Sequence, residues 1–231
     1  MPQLEKLELT LGAKFRNRDI LKEALTHRSY LNENPSWSFP HNERLEFLGD
    51  AVLELIITEA IYEKYPAFDE GKLTSIRAAL VNYVMLSKVA REINLEKFIF
   101  LSKGESNDTK KAHGIILANA FEALIGALYL DQGTRIVKRV ILNFVLSHLD
   151  EVMTNGLYRD SKSALQEYVQ EKMKTTPIYR VLKEEGPDHE KIFKVGVFLG
   201  EKLLGEGEGS FKQEAESRAA EEALASLGYG K

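Results

Sequence analysis

Four acidic side chains and one amide in this 231-residue chain fall at spacings that could do chemistry. In HNERLEFLGDAVLELI, Glu43, Glu46 and Asp50 stand at i, i+3 and i+7. On a helix those positions share one face, about a turn apart. Like charges stacked there repel, so solvent or a cation has to compensate. In ILANAFEALIGALYLD, residues 116–131, Asn119 and Glu122 repeat the i, i+3 spacing inside an almost wholly apolar run. A carboxylate in such surroundings is costly unless it is paired, hydrogen-bonded or bound to a metal. Set side by side, the two helices would converge Glu46, Asp50, Asn119 and Glu122 into an oxygen-only cluster, which suits magnesium or manganese and not zinc. A magnesium ion held by carboxylates and still carrying several waters is the usual equipment of phosphodiester hydrolysis: it activates water, orients the phosphate and stabilises the leaving oxygen. Two plainer readings stand beside this one. Three acids on an amphipathic helix can simply be its solvated face, and a buried acid can be half of an internal ion pair.

A second group of residues lies near the C-terminus. GEGEGSFKQEAE places glycines before a helix whose first turn carries Lys212 and Gln213. Free backbone N–H groups and the positive dipole end at a helix N-terminus favour phosphate, and a lysine adds a direct charge. An earlier helix of the same region offers Gln166 and Glu167, and a GPDH turn offers His189. Polar side chains on a helix and on a hairpin tip can touch two successive minor grooves of A-form RNA while the lysine-bearing helix lies over the phosphates between them. GEGEG alone is weak evidence. It also reads as a hairpin end, and it is not a dinucleotide fingerprint because it does not open a βαβ unit.

The elements that would position these groups follow from hydrophobic periodicity. From Asp19 to about Leu149 the chain reads as helix after helix: RDILKEALTHRSYL, PHNERLEFLGDAVLELIITEAIYEKY, KLTSIRAALVNYVMLSKVAREI, GIILANAFEALIGALYLD and TRIVKRVILNFVLSHLDEVM. This predicts an all-α domain over residues 1–153. A polar, glycine-containing stretch over 154–160 reads as a linker. From residue 161 to 231 the pattern changes to an amphipathic helix, three short runs (IYRVLKEE, KIFKVGVFL and EKLLGEGEG) and a closing Ala-rich helix. The first two runs alternate apolar and polar residues as half-buried strands do, giving the order α-β-β-β-α.

Composition bounds the rest. The chain is 44% hydrophobic and 29% charged, an ordinary globular balance. It has no cysteine, which excludes disulfides, thiolate metal sites and cysteine nucleophiles. The N-terminus is charged and lacks an apolar signal core. The apolar run over 115–130 is broken by Asn119 and Glu122 and reads as too short and too polar for a membrane span. A cytoplasmic protein with no membrane partner is expected. The net charge of −4 argues mildly against a nucleic-acid partner, so any such binding must rest on local placement of charge.

At this point long stretches resemble a known family. HNERLEFLGDAVL and ILANAFEALIGALYLDQG resemble the two catalytic helices of the ribonuclease III nuclease domain, ALTHRSYLNE and EGKLTSIRAALVN its other recurring segments, and residues 160–228 a double-stranded RNA-binding domain. The resemblance covers nearly the whole chain in the right order. It implies a homodimeric, magnesium-dependent endoribonuclease, with manganese as a substitute metal. Such an enzyme cuts both strands of double-stranded RNA, leaves 5′-phosphate and 3′-hydroxyl ends, and processes ribosomal precursors and other structured RNA. By the same resemblance Glu46, Asn119 and Glu122 look like metal ligands, and Asp50, with Glu122, like a catalytic acid that orients or activates the attacking water. Glu43 and Glu70 resemble accessory acidic positions near the cleavage valley and the dimer interface. The family most often has Asp where this chain has Asn119, so one negative charge is missing and weaker metal binding is expected. Gln213 stands where the RNA-binding domain commonly has a further lysine. The other reading that this leaves open is a duplex-binding protein whose cleavage is weakened or absent because of Asn119.

Overall fold

The apolar run around Glu122 lies within the longest helix of the protein. The computed structural model describes residues 4–105, 110–158, 161–186 and 191–229, and it divides the chain into two compact units, Met1–Tyr158 and Arg159–Lys231.

The first unit is all-α: α1 (Leu4–Leu11), α2 (Arg18–Ala24), α3 (Arg28–Glu33), α4 (Glu43–Lys64), α5 (Glu70–Val81), α6 (Tyr83–Glu92), α7 (Lys110–Gln132), α8 (Thr134–Phe144) and α9 (Leu149–Thr154). Three stretches that the periodicity runs together are each broken in two, and the breaks have local causes. Between α2 and α3, the His27 ring accepts a hydrogen bond from the Ser29 N–H and so caps the second helix, while Thr26 forms an isolated parallel bridge to Phe100. Between α5 and α6, Asn82 takes an extended conformation and its side chain accepts from the Met85 N–H. Between α8 and α9 a single 3-10 turn, Leu146–His148, intervenes. Hydrophobic spacing does not register such breaks, because the apolar face continues across them.

Helix α7 is the axis of this unit. Leu117, Ala118, Ala120, Phe121 and the whole run Ala123–Leu128, except for its glycine, are buried apolar residues packed into one core with α4, α6 and α2. The expectation that this segment is too short to cross a bilayer needs correcting. Ala112–Gln132 spans 21 residues at a mean hydropathy of 1.5, enough by length and composition, but 67% of its most apolar window is buried inside the protein itself. Its apolarity is therefore that of a core helix.

The second unit has α10 (Ser161–Met173), a three-stranded antiparallel sheet of β1 (Ile178–Glu185), β2 (Ile192–Leu199) and β3 (Lys202–Gly209) in that order, and α11 (Lys212–Ser226). Its core is small: Leu165 and Val169 of α10, Val197 of β2, and Ala219, Ala220 and Ala223 of α11. Thr154 ends α9, and Tyr158 packs against the helical core of the first unit, so the division of the chain falls after Tyr158.

Candidate active site

The acidic residues of α4 meet the polar residues of α7 because two glycines let the helix backbones touch. A Cβ on Gly49 would overlap the carbonyl oxygen of Glu122, and one on Gly126 would overlap that of Leu45. Any side chain at either point would push the helices apart. Leu45 opposite Gly126 and Gly49 opposite Glu122 also make the two helices antiparallel. This close crossing sets Glu46 and Asp50 beside Asn119 and Glu122.

The electrostatics report the meeting. The Glu122 carboxyl is pushed up to about 8 by burial first, then by Asp50 and by Glu46, all acting in one direction. Glu46 is also raised, by burial, by Glu43 and by Asp50, while a hydrogen bond from the Asn119 side chain pulls the other way. An ionised carboxylate only accepts, so the Asn119 amide NH2 is the donor and its Oδ1 is left to face other groups. Glu43 is exposed and stands 3.6 Å from Arg28 Nη1. Glu70 stands apart at the start of α5, where its carboxylate accepts from Thr74 Oγ1 at 3.2 Å, and it is not among the charges acting on Glu46 or Glu122.

The donor set can be tested against a metal. Among the described residues no three His, Cys, Asp or Glu side chains close into a ready-made cage. The oxygen-only character of Glu46, Asn119 and Glu122 suits a hard cation. Magnesium takes one or two carboxylates and fills the rest of its octahedron with waters and phosphate oxygens. Glu46, Glu122 and the Asn119 Oδ1 fit this role, and a bound cation would relieve the repulsion that raises Glu122 and Glu46.

In the second unit Gln166 and Glu167 are exposed on α10, and Lys212 and Gln213 are exposed in the first turn of α11. Lys212 Nζ lies 3.1 Å from Glu184 Oε1 and over the Phe193 ring at 5.3 Å. His189 lies outside the described residues. The glycines of GEGEG do not form a phosphate cradle or a hairpin end. They lie within β3, and a Cβ on Gly205, Gly207 or Gly209 would strike the backbone of α11 at Ala219 or Ala215. Their period of two matches Ala215, Ala219 and Ala223 at helical spacing, so a bare strand face receives a bare helix face.

Sequence reasoning missed Gly49 and Gly126 as the residues that position the site. The available signal was a lone glycine inside each of two strongly helical patterns. It also missed the cavity beside Glu46 and Asn119 that His27, Arg28 and Asn42 help to line.

A ribonuclease-III-like family model matches residues 17–149, and a double-stranded RNA binding motif matches residues 161–227. Ribonuclease 3 of Desulforamulus reducens is 44% identical over 230 residues, covering 99% of this chain and 94% of that protein. Ribonuclease 3 of Borreliella burgdorferi is 46% identical over 226 residues, 97% of this chain and 91% of that one. The chain belongs to the ribonuclease III family. Among solved structures, the nuclease domain of ribonuclease III from Campylobacter jejuni, described for flexibility in a region involved in dimer formation, matches with a TM-score of 0.57 and 40% identity, over 63% of this chain and 97% of that one. A ribonuclease III nuclease unit followed by a duplex-binding unit makes this protein an endoribonuclease of double-stranded RNA that works with a divalent metal.

Proposed function

We propose that the cleavage site of this ribonuclease III is the crossing of α4 and α7, with Glu46, Asn119 and Glu122 holding magnesium. The observation that carries this is the glycine crossing that brings Glu46 and Asp50 beside the Glu122 carboxyl, which is raised to about 8 by burial first and then by those two acids. Acids gathered at a cost to folding are expected where a site needs them. The bound ion supplies Lewis acidity toward the phosphodiester and an acidified water. Asp50, exposed one turn beyond Glu46, orients the attacking water and accepts its proton. Glu43 widens the negative field on the same helix. Glu70 is an accessory acid whose place at this site requires a second copy of the chain.

A homodimer through the nuclease unit fits the surface of α4, where Phe47 is 81% exposed, Leu55 68% and Tyr62 69%. Two copies would bring two sites to one duplex, one for each strand. In the duplex-binding unit, Gln166, Glu167 and His189 are the proposed groove contacts, Lys212 and Gln213 the proposed phosphate contacts, and the short segment after Tyr158 the connection. Products with 5′-phosphate and 3′-hydroxyl ends, substrates among ribosomal precursors and structured RNA, and a cytoplasmic setting complete the reading. The relatives named ribonuclease 3 do not favour a protein that only binds duplexes.

The direct test is Glu122→Gln. Cleavage of a perfect RNA duplex with magnesium should fall at least about 10³-fold, while duplex affinity measured without metal stays within about twofold. Cleavage retained near the parent level would remove Glu122 from the site.

A further inference from the structure

Beside the proposed cleavage site lies a cavity of about 360 Å³ whose lining includes His27, Asn42, Glu43, Glu46, Glu105 and Asn119. The His27 ring is held there by its own hydrogen bonds. Its Nδ1 accepts from the Ser29 N–H at 3.3 Å and lies 2.8 Å from Ser29 Oγ, which in turn accepts from the Ser102 N–H at 3.2 Å. The His27 N–H donates to the Phe100 carbonyl at 3.0 Å. An Nδ1 that accepts puts the ring proton on Nε2, so the ring is a fixed donor. Burial holds the ring below the ordinary imidazole range, which keeps it neutral.

The rest of the lining decides what that donor can meet. Glu43, Glu46 and Glu105 contribute three carboxylates, against one guanidinium, Arg28, already facing Glu43 at 3.6 Å. Such a wall repels a bare phosphate. A hydroxyl is welcome, since it can accept from an imidazole N–H and donate to a carboxylate at once. An A-form duplex presents its 2′-hydroxyls along the shallow minor groove, and the 2′-hydroxyl is the group that distinguishes RNA from DNA at a given position.

We propose that this cavity receives a ribose 2′-hydroxyl of the strand being cut, with His27 Nε2–H as its donor and Glu43 or Glu105 as its acceptor. His27 is then a positioning and sugar-reading residue at the edge of the site. The inference rests on placing cleavage at Glu46, Asn119 and Glu122.

The test uses the full-length protein with RNA duplexes that carry one 2′-deoxynucleotide walked across the positions flanking each cut. The unaltered protein should lose about 5–10-fold in kcat/KM at one position, the size of one neutral hydrogen bond. Two variants separate the roles of the two ring nitrogens. His27→Asn keeps an acceptor for the Ser29 N–H, and so the helix cap, but its amide does not reach the Nε2 position. It should cut all-RNA duplexes about 5–10-fold more slowly and show no further loss at the sensitive position. His27→Gln restores an N–H near the Nε2 position and should keep both the rate and the deoxy sensitivity. A scan without any sensitive position, or a His27→Asn protein as sensitive as its parent, overturns the proposal. Glu122→Gln separates the two levels of the argument. If it still cleaves, the site placement falls and this inference with it; if it is inert while His27→Asn stays sensitive, only this inference falls.

Discussion

Asn119 replaces a charge with a dipole at a position where a carboxylate would serve a cation better. Its amide hydrogen bond to Glu46 offsets some of the repulsion there, so the metal-free site is less strained than one with four carboxylates. Asn119→Asp should therefore lower the magnesium concentration for half-maximal cleavage, by roughly tenfold if one added charge is worth about 1.4 kcal/mol, and a metal titration of duplex cleavage measures it. Glu122 gives a complementary prediction in chelator. Its proton is held more tightly in the folded protein than in the unfolded chain, so it stabilises the fold at low pH, and that contribution is lost as pH rises from the ordinary carboxylate range through about 8. Glu122→Gln removes the slope. At pH 8.5 the variant should melt above its parent by roughly 3–6 °C, about 1–2 kcal/mol after allowing for solvent screening, and below pH 4 the two melting curves should coincide. Saturating magnesium should erase the parent's deficit at high pH.

At the scale of the element, the site depends on how closely two helices approach. Gly126→Ala puts a methyl group into the Leu45 carbonyl and has no flexible neighbour to displace. It should cost about 2–4 kcal/mol and should lower cleavage beyond the loss of folded protein, because the parting of α4 and α7 moves Glu46 away from Glu122; a urea melt run beside cleavage under conditions where the variant is folded separates the two effects. Here the limits of reading the sequence show most clearly. The acids, the amide and their i, i+3 spacing were legible, as were α10 and all three strands to within a residue of their observed bounds. The glycine crossing was not, because periodicity describes one helix at a time and a close approach belongs to two. The helix breaks at His27 and Asn82 were hidden for a related reason: each is made by one side chain bonding to a backbone N–H two or three residues on, which leaves the apolar pattern intact. GEGEG was legible as the end of the third strand, but the reason for its glycines was not, since that lies in the alanines that pack on it.

For the molecule as a whole, a net charge of −4 must be reconciled with a polyanionic substrate. Lys212 is one answer, held against Glu184 at 3.1 Å. Duplex binding would trade that partner for a phosphate. Lys212→Ala should weaken binding alike across RNA sequences and reduce the salt slope by about one; Glu184→Gln should strengthen binding by about two- to fivefold at low salt, and filter binding across a salt series reads both. Helix α7 carries a last consequence, for the chain before it folds. As it leaves the ribosome, Ala112–Gln132 offers the machinery that sorts nascent chains a segment of bilayer length. An acidic residue at the centre of such a segment opposes insertion by about 3 kcal/mol on the scale measured for aspartate. Glu122 sits at that centre. The carboxylate proposed to hold the metal in the finished enzyme thus also makes its core helix a poorer membrane span than length and apolarity alone suggest.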